Sequence, residues 1–354
     1  MERVDVLVLG ATTEGLAAAR AAAVGGVRVA LVDAEPLLEE DPTLHAVLPG
    51  ELELIGIEPK NAERSIEKLQ VAAQPKTAIG GELVRYVLRA DAIIEHIAQT
   101  ARRQGVELRY GVGSLELSHD AAGWLVKPAE AEPLRAEAIV VADGARSPAL
   151  LDLGLFDVFR VSESSAGILS YLSATWVLGE NAGSYDAIHV LETRGPLGAM
   201  WLVPGNHSAS VAIGPVWRGV AKPQYDWASQ SDRVVPLLLD QAATELRLPN
   251  RPVFIDLIET RIDALHAPTT FDRGVAVGTA TGHGPRAPLL SCGAMARAGA
   301  TAGRVLAEAV KTKSVGAAAL ARAMAEPLAE LSEWCPAQLA LEARGMRHPR
   351  ARAL

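Results

Sequence analysis

The chain has 354 residues, 49% of them apolar, and its 34 basic and 42 acidic side chains give a formal net charge of −8. This length allows one large domain or two interleaved domains with a well-filled core. Two cysteines exclude a disulfide-rich framework and a cysteine-based zinc module, and no spacing typical of a metal site occurs. The acidic balance argues against a general nucleic-acid binder.

The sequence shows no secretory signal pattern, and its longest apolar stretches are interrupted by arginine and glycine. None of them reaches the ~18 to 20 residues that a membrane span requires. We therefore expect a cytoplasmic protein without an integral membrane segment.

The N-terminal segment has the pattern of a strand–helix–strand unit. An apolar run over residues 4–9 predicts a buried parallel strand, and the alanine-rich stretch 16–24 predicts the helix that follows it. A second strand pattern ends at Asp33, where a carboxylate can accept hydrogen bonds from a ribose diol, with Glu35 as the alternative. This arrangement is the general form of a dinucleotide-binding unit.

The loop between the first strand and its helix, residues 10–15, departs from the G-x-G-x-x-G fingerprint. Thr12 replaces the glycine that lets the backbone approach a diphosphate, and Glu14 adds a negative charge in the first helical turn. We expect these two residues to weaken phosphate binding. The alternative is an ordinary strand–helix–strand unit with no nucleotide.

Two later segments extend the pattern over nearly the whole chain. Residues 138–150 predict a strand that ends at Asp143-Gly144, and residues 272–303 predict a strand, a Gly- and Pro-rich loop and a helix of small residues. With the N-terminal unit, this order resembles the FAD-dependent superfamily of p-hydroxybenzoate hydroxylase. That superfamily includes geranylgeranyl reductases, flavin-dependent halogenases and electron-transfer-flavoprotein–quinone oxidoreductases.

The resemblance implies a set of cofactor contacts, although two further positions depart from the pattern. Leu150 stands where the family has an arginine, and Thr279 stands where an aspartate binds the ribityl chain. The implied cofactor-binding residues are Gly10, Ala11, Thr12, Thr13, Gly15, Asp33, Ala34, Arg89, Asp143, Gly144, Gly278, Thr279, Gly282, Cys292 and Gly293.

A shorter match lies in residues 196–204. Pro196, Trp201 and Pro204 fit the P-x-x-Y-x-W-x-F-P motif of geranylgeranyl reductase-like proteins, and Gly198 and Trp201 partly fit the G-W-x-W-x-I-P motif of halogenases. Trp201 is therefore a catalytic candidate on the substrate side. The alternative is that Trp201 only packs within a sheet.

Two conventional reactive side chains, His283 and Cys292, lie near the expected flavin position. His283 could donate a proton to substrate, or it is a surface histidine without a catalytic task. Cys292 at a helix start could have a lowered pKa, or it is a small buried apolar residue. The helix start, with Ser291 as N-cap, would stabilise negative charge on reduced flavin.

The predicted fold is α/β, with a Rossmann-like FAD/NAD(P)-binding domain interleaved with a mostly antiparallel β-sheet substrate domain. The first domain comprises residues 1–150 and 265–315, the second comprises residues 151–264, and residues 316–354 form C-terminal helices and a basic tail. Apolar residues of the second domain are expected to face a cavity between the two.

Two functional hypotheses follow. The first is an FAD-dependent oxidoreductase, foremost a reductase, that acts on an apolar isoprenoid or aromatic small molecule with NAD(P)H as a transient electron donor. The second is a flavin-free member of the fold that binds another ligand or a protein partner, because Thr12, Glu14, Leu150 and Thr279 all depart from the family pattern.

Overall fold

The computed structural model describes residues 1–37, 40–72, 77–78, 84–155, 168–192, 199–219, 227–249, 251–261, 269–281, 289–290 and 292–334. The helices are α1 (Thr13–Val24), α2 (Pro49–Ile55), α3 (Ala90–Arg103), α4 (Pro148–Asp152), α5 (Trp227–Leu246), α6 (Cys292–Lys311) and α7 (Ala317–Trp334). None of these described helices combines the length and apolar character of a bilayer crossing.

The strands of the first half are β1 (Glu2–Leu9), β2 (Val29–Val32), β3 (Leu44–Val47), β4 (Arg64–Ile66), β5 (Leu69–Ala72), β6 (Thr77–Ala78), β7 (Arg85–Arg89), β8 (Glu107–Arg109), β9 (Leu115–Asp120), β10 (Gly123–Pro128) and β11 (Leu134–Val141). Those of the second half are β12 (Ile168–Val177), β13 (Ile188–Glu192), β14 (Ala199–Pro204), β15 (Ser208–Gly219), β16 (Phe254–Arg261), β17 (Thr270–Phe271) and β18 (Gly274–Ala276).

The first sheet has the order β17-β18-β11-β1-β2-β8, and β9 and β10 extend it from β11. Strand β1 pairs in parallel with β2 on one side and with β11 on the other. The chain thus leaves β1 through α1 toward β2 and later returns to the opposite side of β1. Ligands of open parallel sheets bind outside the carboxyl ends of the strands at such a reversal of strand order.

The second large sheet has the order β16-β12-β15-β14-β13-β5-β6, and it is mostly antiparallel. The mixed α/β architecture predicted from the sequence is confirmed. However, β5 and β6 come from residues 69–78 and pair next to β13, although the predicted boundaries place this segment in the first domain. A third sheet, β3-β7-β4, is formed by segments between β2 and α3. The boundaries themselves stay a prediction.

Helices α1 and α6 pack at very short distance because glycines lie at their contact. A Cβ atom on Gly299 would come within 1.9 Å of the carbonyl oxygen of Glu14, and one on Gly303 within 2.1 Å of that of Ala18. Either atom would force the helices apart. This close packing fixes the N-terminus of α1 beside α6.

Candidate functional site

A crevice at the carboxyl edge of the first sheet gathers seven of the fifteen predicted cofactor residues. They come from the loop after β1, the end of β2, the loop after β11 and the turn after β18. Their common property is partial exposure, in contrast to the buried strands behind them, and they are Ala11, Thr12, Asp33, Ala34, Asp143, Gly144 and Thr279. The structure therefore brings these residues from four separate segments to one edge of the sheet.

Gly10 brings the loop after β1 against the loop after β11. Its φ is +102°, and a Cβ atom there would come within 2.4 Å of the carbonyl oxygen of Ala142. Gly15 is equally tight, since its Cβ would lie 2.0 Å from the carbonyl oxygen of Gly10. The first and third glycines of the fingerprint thus keep their structural role, and only the middle one is replaced.

Asp33 lies at the end of β2, as predicted. Its carboxylate accepts hydrogen bonds from the backbone N–H of Ala11 and, at 2.9 Å, from that of Glu35. The neighbouring carbonyl of Ala34 accepts from Gly113 at 3.1 Å. A carboxylate has about four lone-pair sites, so Asp33 can hold the loop and still accept from a ribose diol.

Thr12 points its hydroxyl back into the protein. Oγ1 accepts from the backbone N–H of Gly15 at 3.1 Å, which makes Thr12 the N-cap of α1, and it donates to the carbonyl oxygen of Ala142 at 3.0 Å. The expected obstruction by this side chain is therefore reduced, because the hydroxyl is turned away from the crevice and its hydrogen bonds are satisfied internally.

Glu14 lies beneath the crevice rather than in it, because it is 2% exposed. Its Oε1 accepts from the backbone N–H of Thr279 at 3.2 Å and from Thr279 Oγ1 at 3.3 Å. Burial raises the pKa of Glu14 and thereby favours the uncharged acid, although these hydrogen bonds act in the opposite direction. The simple repulsion between Glu14 and a diphosphate, expected from the sequence, does not match this geometry.

Asp143 and Gly144 shape the opposite wall of the crevice. Asp143 Oδ2 accepts from the backbone N–H of Ala149 at 3.0 Å, whereas Oδ1 is buried and has no hydrogen-bond partner among the described residues. Burial raises the pKa of Asp143, and the negative charge of Asp33 contributes to this increase. A Cβ atom on Gly144 would meet no atom within 4 Å, so there is open space beside Gly144.

Tyr110 is a crevice-edge residue that the sequence analysis missed. It directly follows β8, the strand beside β2, and its hydroxyl is a second buried oxygen without a partner among the described residues. Burial and the negative charge of Asp33 raise the pKa of Tyr110, whereas the positive charge of Arg102 lowers it. The sequence signal for Tyr110 is an aromatic residue directly after a strand of the parallel sheet. That signal is weak, because β8 has only three residues.

Comparison with solved structures identifies this architecture, whereas no protein-family model matches the chain. A geranylgeranyl bacteriochlorophyll reductase-like protein from Thermoplasma acidophilum superimposes with a TM-score of 0.75 at 17% identity, over 98% of this chain and 88% of that one. p-Nitrophenol 4-monooxygenase from Pseudomonas putida gives 0.72 at 16% identity, over 100% and 92% of the two chains. Aklavinone-11 hydroxylase, solved with FAD and aklavinone, gives 0.71 at 20% identity, over 99% and 70%.

The chain has the p-hydroxybenzoate hydroxylase fold. At these identities the likeness concerns the fold, and the predicted resemblance is confirmed at that level.

Leu150 fills the position at which proteins that the sequence resembles have an arginine. It is 1% exposed and belongs to an apolar core cluster behind the crevice, together with Ala149 and Val141. The backbone N–H of Leu150 donates to Ser147 Oγ at 3.1 Å, so Ser147 caps α4. Apolar packing therefore takes the place of a charged contact at position 150.

Cys292 is the first residue of α6 and is buried against α1. Its Sγ lies 3.7 Å from Thr13 Oγ1, and burial raises its pKa to about 12. The expectation of a lowered pKa is wrong, because loss of solvent outweighs the helix start. The other interpretation from the sequence, a small buried apolar residue, fits this environment.

We expect slow alkylation of Cys292 in the native protein. With a pKa of about 12, the thiolate fraction at pH 8 is roughly a thousandfold below that of a free cysteine. Iodoacetamide labelling of a Cys335→Ser variant, followed by mass spectrometry with and without urea, measures the difference. Similar rates in folded and unfolded protein would contradict the assigned burial.

Trp201 lies in β14 and is 9% exposed. Its ring meets that of Tyr171 edge-on, with centroids 5.6 Å apart. Both belong to an apolar cluster that joins the second large sheet to Leu44 of β3 and to Leu289. In its described part, this face is packed rather than open to a cavity, which favours a packing role for Trp201 over a catalytic one.

Arg89 lies at the end of β7 and precedes α3, as expected. Its guanidinium binds Asp91 on the surface, at 3.0 Å through Nε and 2.5 Å through Nη2. The family resemblance implied that Arg89 binds the cofactor, but its described hydrogen bonds do not reach the crevice residues.

The remaining predicted residues near α6 divide into two groups. Gly278 packs against Glu14, and Gly293 packs against Glu51, in each case so closely that a Cβ atom would lie 2.1 Å from the carboxyl group. Gly282, His283, Ser291, Pro196, Gly198, Cys335 and the basic tail lie outside the described residues. Within the described residues, no group of three or more acidic, histidine or cysteine side chains could hold a metal ion.

Proposed function

We propose that this protein is an FAD-dependent oxidoreductase. The observation that carries the proposal is the crevice at the carboxyl edge of β1, β2 and β11, which is lined by partly exposed residues and holds the unused acceptor Asp143 Oδ1. Two proteins of the same fold were solved with FAD: aklavinone-11 hydroxylase, and a halogenase that superimposes with a TM-score of 0.65 at 15% identity. When bound, FAD supplies two-electron redox chemistry that no side chain provides.

The residues of the crevice fit the polar part of such a cofactor. Asp33 would accept from the ribose hydroxyls, and the backbone at the start of α1 would face the diphosphate with its positive dipole end. Thr279 donates its hydroxyl proton to Glu14, which leaves its oxygen free to accept from a further hydroxyl. The buried carboxyl group of Glu14, whose pKa is raised by burial, supports Thr279.

The proposed reaction is the reduction of an apolar isoprenoid or aromatic small molecule, with NAD(P)H as transient electron donor. The described part of the face around Trp201 is packed, so the apolar substrate is proposed from the likeness to solved structures alone. The likeness to a protein described as geranylgeranyl bacteriochlorophyll reductase-like supports reduction, whereas the hydroxylase and monooxygenase neighbours support oxygenation as the competing reaction.

The visible spectrum of the purified full-length chain tests the proposal. We expect a yellow protein, or a colourless one that takes up one equivalent of FAD in equilibrium dialysis. NADPH added under anaerobic conditions should then bleach the flavin absorbance. Protein that stays colourless and retains no FAD at 100 µM would overturn the proposal.

A flavin-free ligand- or protein-binding member of the fold is the second candidate. It is favoured by the segment before α6, where Leu289 is fully buried with φ at +66° and Leu290 is 3% exposed. The carbonyl oxygen of Leu289 also accepts from the backbone N–H of Ala46 at 2.9 Å. A segment packed so firmly into the core leaves less room beside α6 for a flavin ring. Absence of FAD uptake would favour this candidate.

A further inference from the structure

Strand β16 forms one edge of the second large sheet. Among the described strands its neighbour is β12, with which it pairs in antiparallel register from Phe254 to Arg261. The backbone N–H and C=O groups on the far side of an edge strand have no ladder partner, so they can pair with a strand of another molecule. The opposite edge of the same sheet is β6, which has two residues and is too short for such pairing.

The first half of β16 and the residues before it are open to solvent. No residue is buried in the stretch 251–258, and Val253 and Ile255 are 64% and 47% exposed. In the adjacent strand β12, by contrast, residues 171–176 are all buried. The change from buried to exposed occurs within one strand spacing, so no other part of the chain covers Val253 and Ile255.

This edge lacks the features that normally prevent strand pairing between molecules. Such features are lysine or proline within the strand, β-bulges, and short length. Residues 253–261 contain no lysine, proline or glycine, and β16 has eight residues. Its ladder with β12 shows no register shift, whereas the ladder between β12 and β15 shifts between Ser170 and Leu172. An exposed, regular, partly apolar edge strand of this kind is a template for an added strand.

The residues of this segment are complementary to themselves about Ile255. With a second copy paired antiparallel through a twofold axis at Ile255, Val253 lies opposite Leu257 of the partner subunit. In the same register, position 251 lies opposite position 259 of the partner subunit, where the sequence has Arg251 and Glu259. Apolar residues therefore meet apolar residues, and a basic residue meets an acidic one, on both sides of the axis.

The neighbouring registers are less favourable. A twofold axis at Asp256 places Asp256 opposite its own copy and Arg251 opposite Arg261 of the partner subunit. Like charges directly opposite each other destabilise a strand pair. An axis at Leu257 places Val253 opposite Arg261 of the partner subunit, which removes an apolar pair.

We propose that β16 pairs with β16 of a second copy of this chain, in an antiparallel and twofold-symmetric dimer centred on Ile255. A second copy is favoured over a different protein because the segment matches itself in both apolar character and charge. A single pair of edge strands buries less than the ~800 Å² per partner of a standard interface. We therefore expect a weak dimer, with a Kd of roughly 1 to 100 µM. The proposal does not rest on FAD.

Sedimentation equilibrium of the full-length chain, from about 1 to about 200 µM, tests the proposal. We expect a monomer–dimer equilibrium that Ile255→Lys weakens at least tenfold, because the two new charges face each other across the axis. Arg251→Glu should also weaken it at least tenfold, and the double variant Arg251→Glu, Glu259→Arg should restore it. Leu237→Lys is the control, because Leu237 lies on α5 and is 68% exposed. It should associate as the wild type does.

Crosslinking tests the register independently. In a Cys335→Ser background, where Cys292 is buried, Ile255→Cys should give a disulfide-linked dimer with diamide as oxidant, and Leu237→Cys should give none. If circular dichroism shows that Ile255→Lys is unfolded, the crosslinking and the charge exchange carry the test.

Four results would each overturn the proposed dimer: a wild type that stays monomeric at about 200 µM, unchanged association in folded Ile255→Lys, a charge exchange that does not restore association, or equal crosslinking at positions 255 and 237. A colourless protein that dimerises through β16 would keep this interface and lose the proposed flavin function.

Discussion

Replacement of Gly10 by alanine is expected to abolish FAD binding at micromolar concentrations. The new Cβ would lie 2.4 Å from the carbonyl oxygen of Ala142, and the φ of +102° is strained for any residue with a side chain. The loop after β1 must therefore move away from β11 and distort the start of α1. We expect an affinity loss of about 100-fold, equivalent to roughly 3 kcal/mol, measured by fluorescence quenching of FAD.

The control variant Gly26→Ala measures what backbone strain alone does to FAD affinity. Gly26 lies in the turn between α1 and β2 of the same strand–helix–strand unit, with φ at +81°, and a Cβ atom there would meet nothing within 4 Å. This variant should lose ~1 kcal/mol of stability from the left-handed conformation and keep its FAD affinity. If both glycine variants weaken FAD equally, the loop after β1 does not form the binding site.

Two replacements of Glu14, by alanine and by glutamine, are expected to change the free energy of unfolding in opposite directions. Glu14→Ala leaves the backbone N–H of Thr279 without its acceptor and opens a cavity between α1 and the turn after β18. The combined loss should be about 2 to 4 kcal/mol. Glu14→Gln keeps an acceptor oxygen and removes the ionisable group, so it should be more stable than wild type above neutral pH.

The pH dependence gives the sign of the Glu14 effect. Burial raises the pKa of Glu14 in the folded state, so its uncharged form stabilises the protein below the unfolded pKa, and that contribution is lost as pH rises through the folded pKa. The stability advantage of Glu14→Gln should therefore grow from pH 5 to pH 8. Urea unfolding at both pH values measures it.

Thr279→Val tests the same contact from the other side. It removes the hydroxyl donor and keeps the backbone N–H, so it should cost ~1 kcal/mol with little effect on the shape of the pH profile. A Glu14→Gln variant that is less stable than wild type at pH 8 would show that the carboxylate is ionised and paired in the folded protein.

The structure most changes the interpretation of Thr12 and Glu14, which the sequence predicts to weaken phosphate binding. Sequence spacing shows that both depart from the phosphate-binding fingerprint, and helix geometry places both near the start of α1. The direction of each side chain depends on its partners: the Gly15 amide and Ala142 carbonyl for Thr12, and Thr279 for Glu14. Thr279 lies 265 residues away from Glu14 along the chain, so the spacing of residues near α1 does not predict this contact.

The sequence by itself determined the α/β fold and the crevice edge. Strand periodicity, the glycines at positions 10 and 15, and the acid at the end of β2 are local features, and local features predict local structure. The strand–helix–strand pattern predicted Asp33 as a cofactor residue, and the family resemblance implied Asp143 and Thr279. The structure places all three at the carboxyl edge of the first sheet.

Only the tertiary structure decided which polar groups have hydrogen-bond partners and which side chains are removed from solvent. It buried Cys292 and raised its pKa, packed Trp201 into a core cluster, and joined β5 and β6 to the second sheet. It also brought Glu51, Arg85 and Arg297 together from three elements. Desolvation and pairing depend on neighbours that are distant along the chain, and for that reason composition and spacing do not determine them.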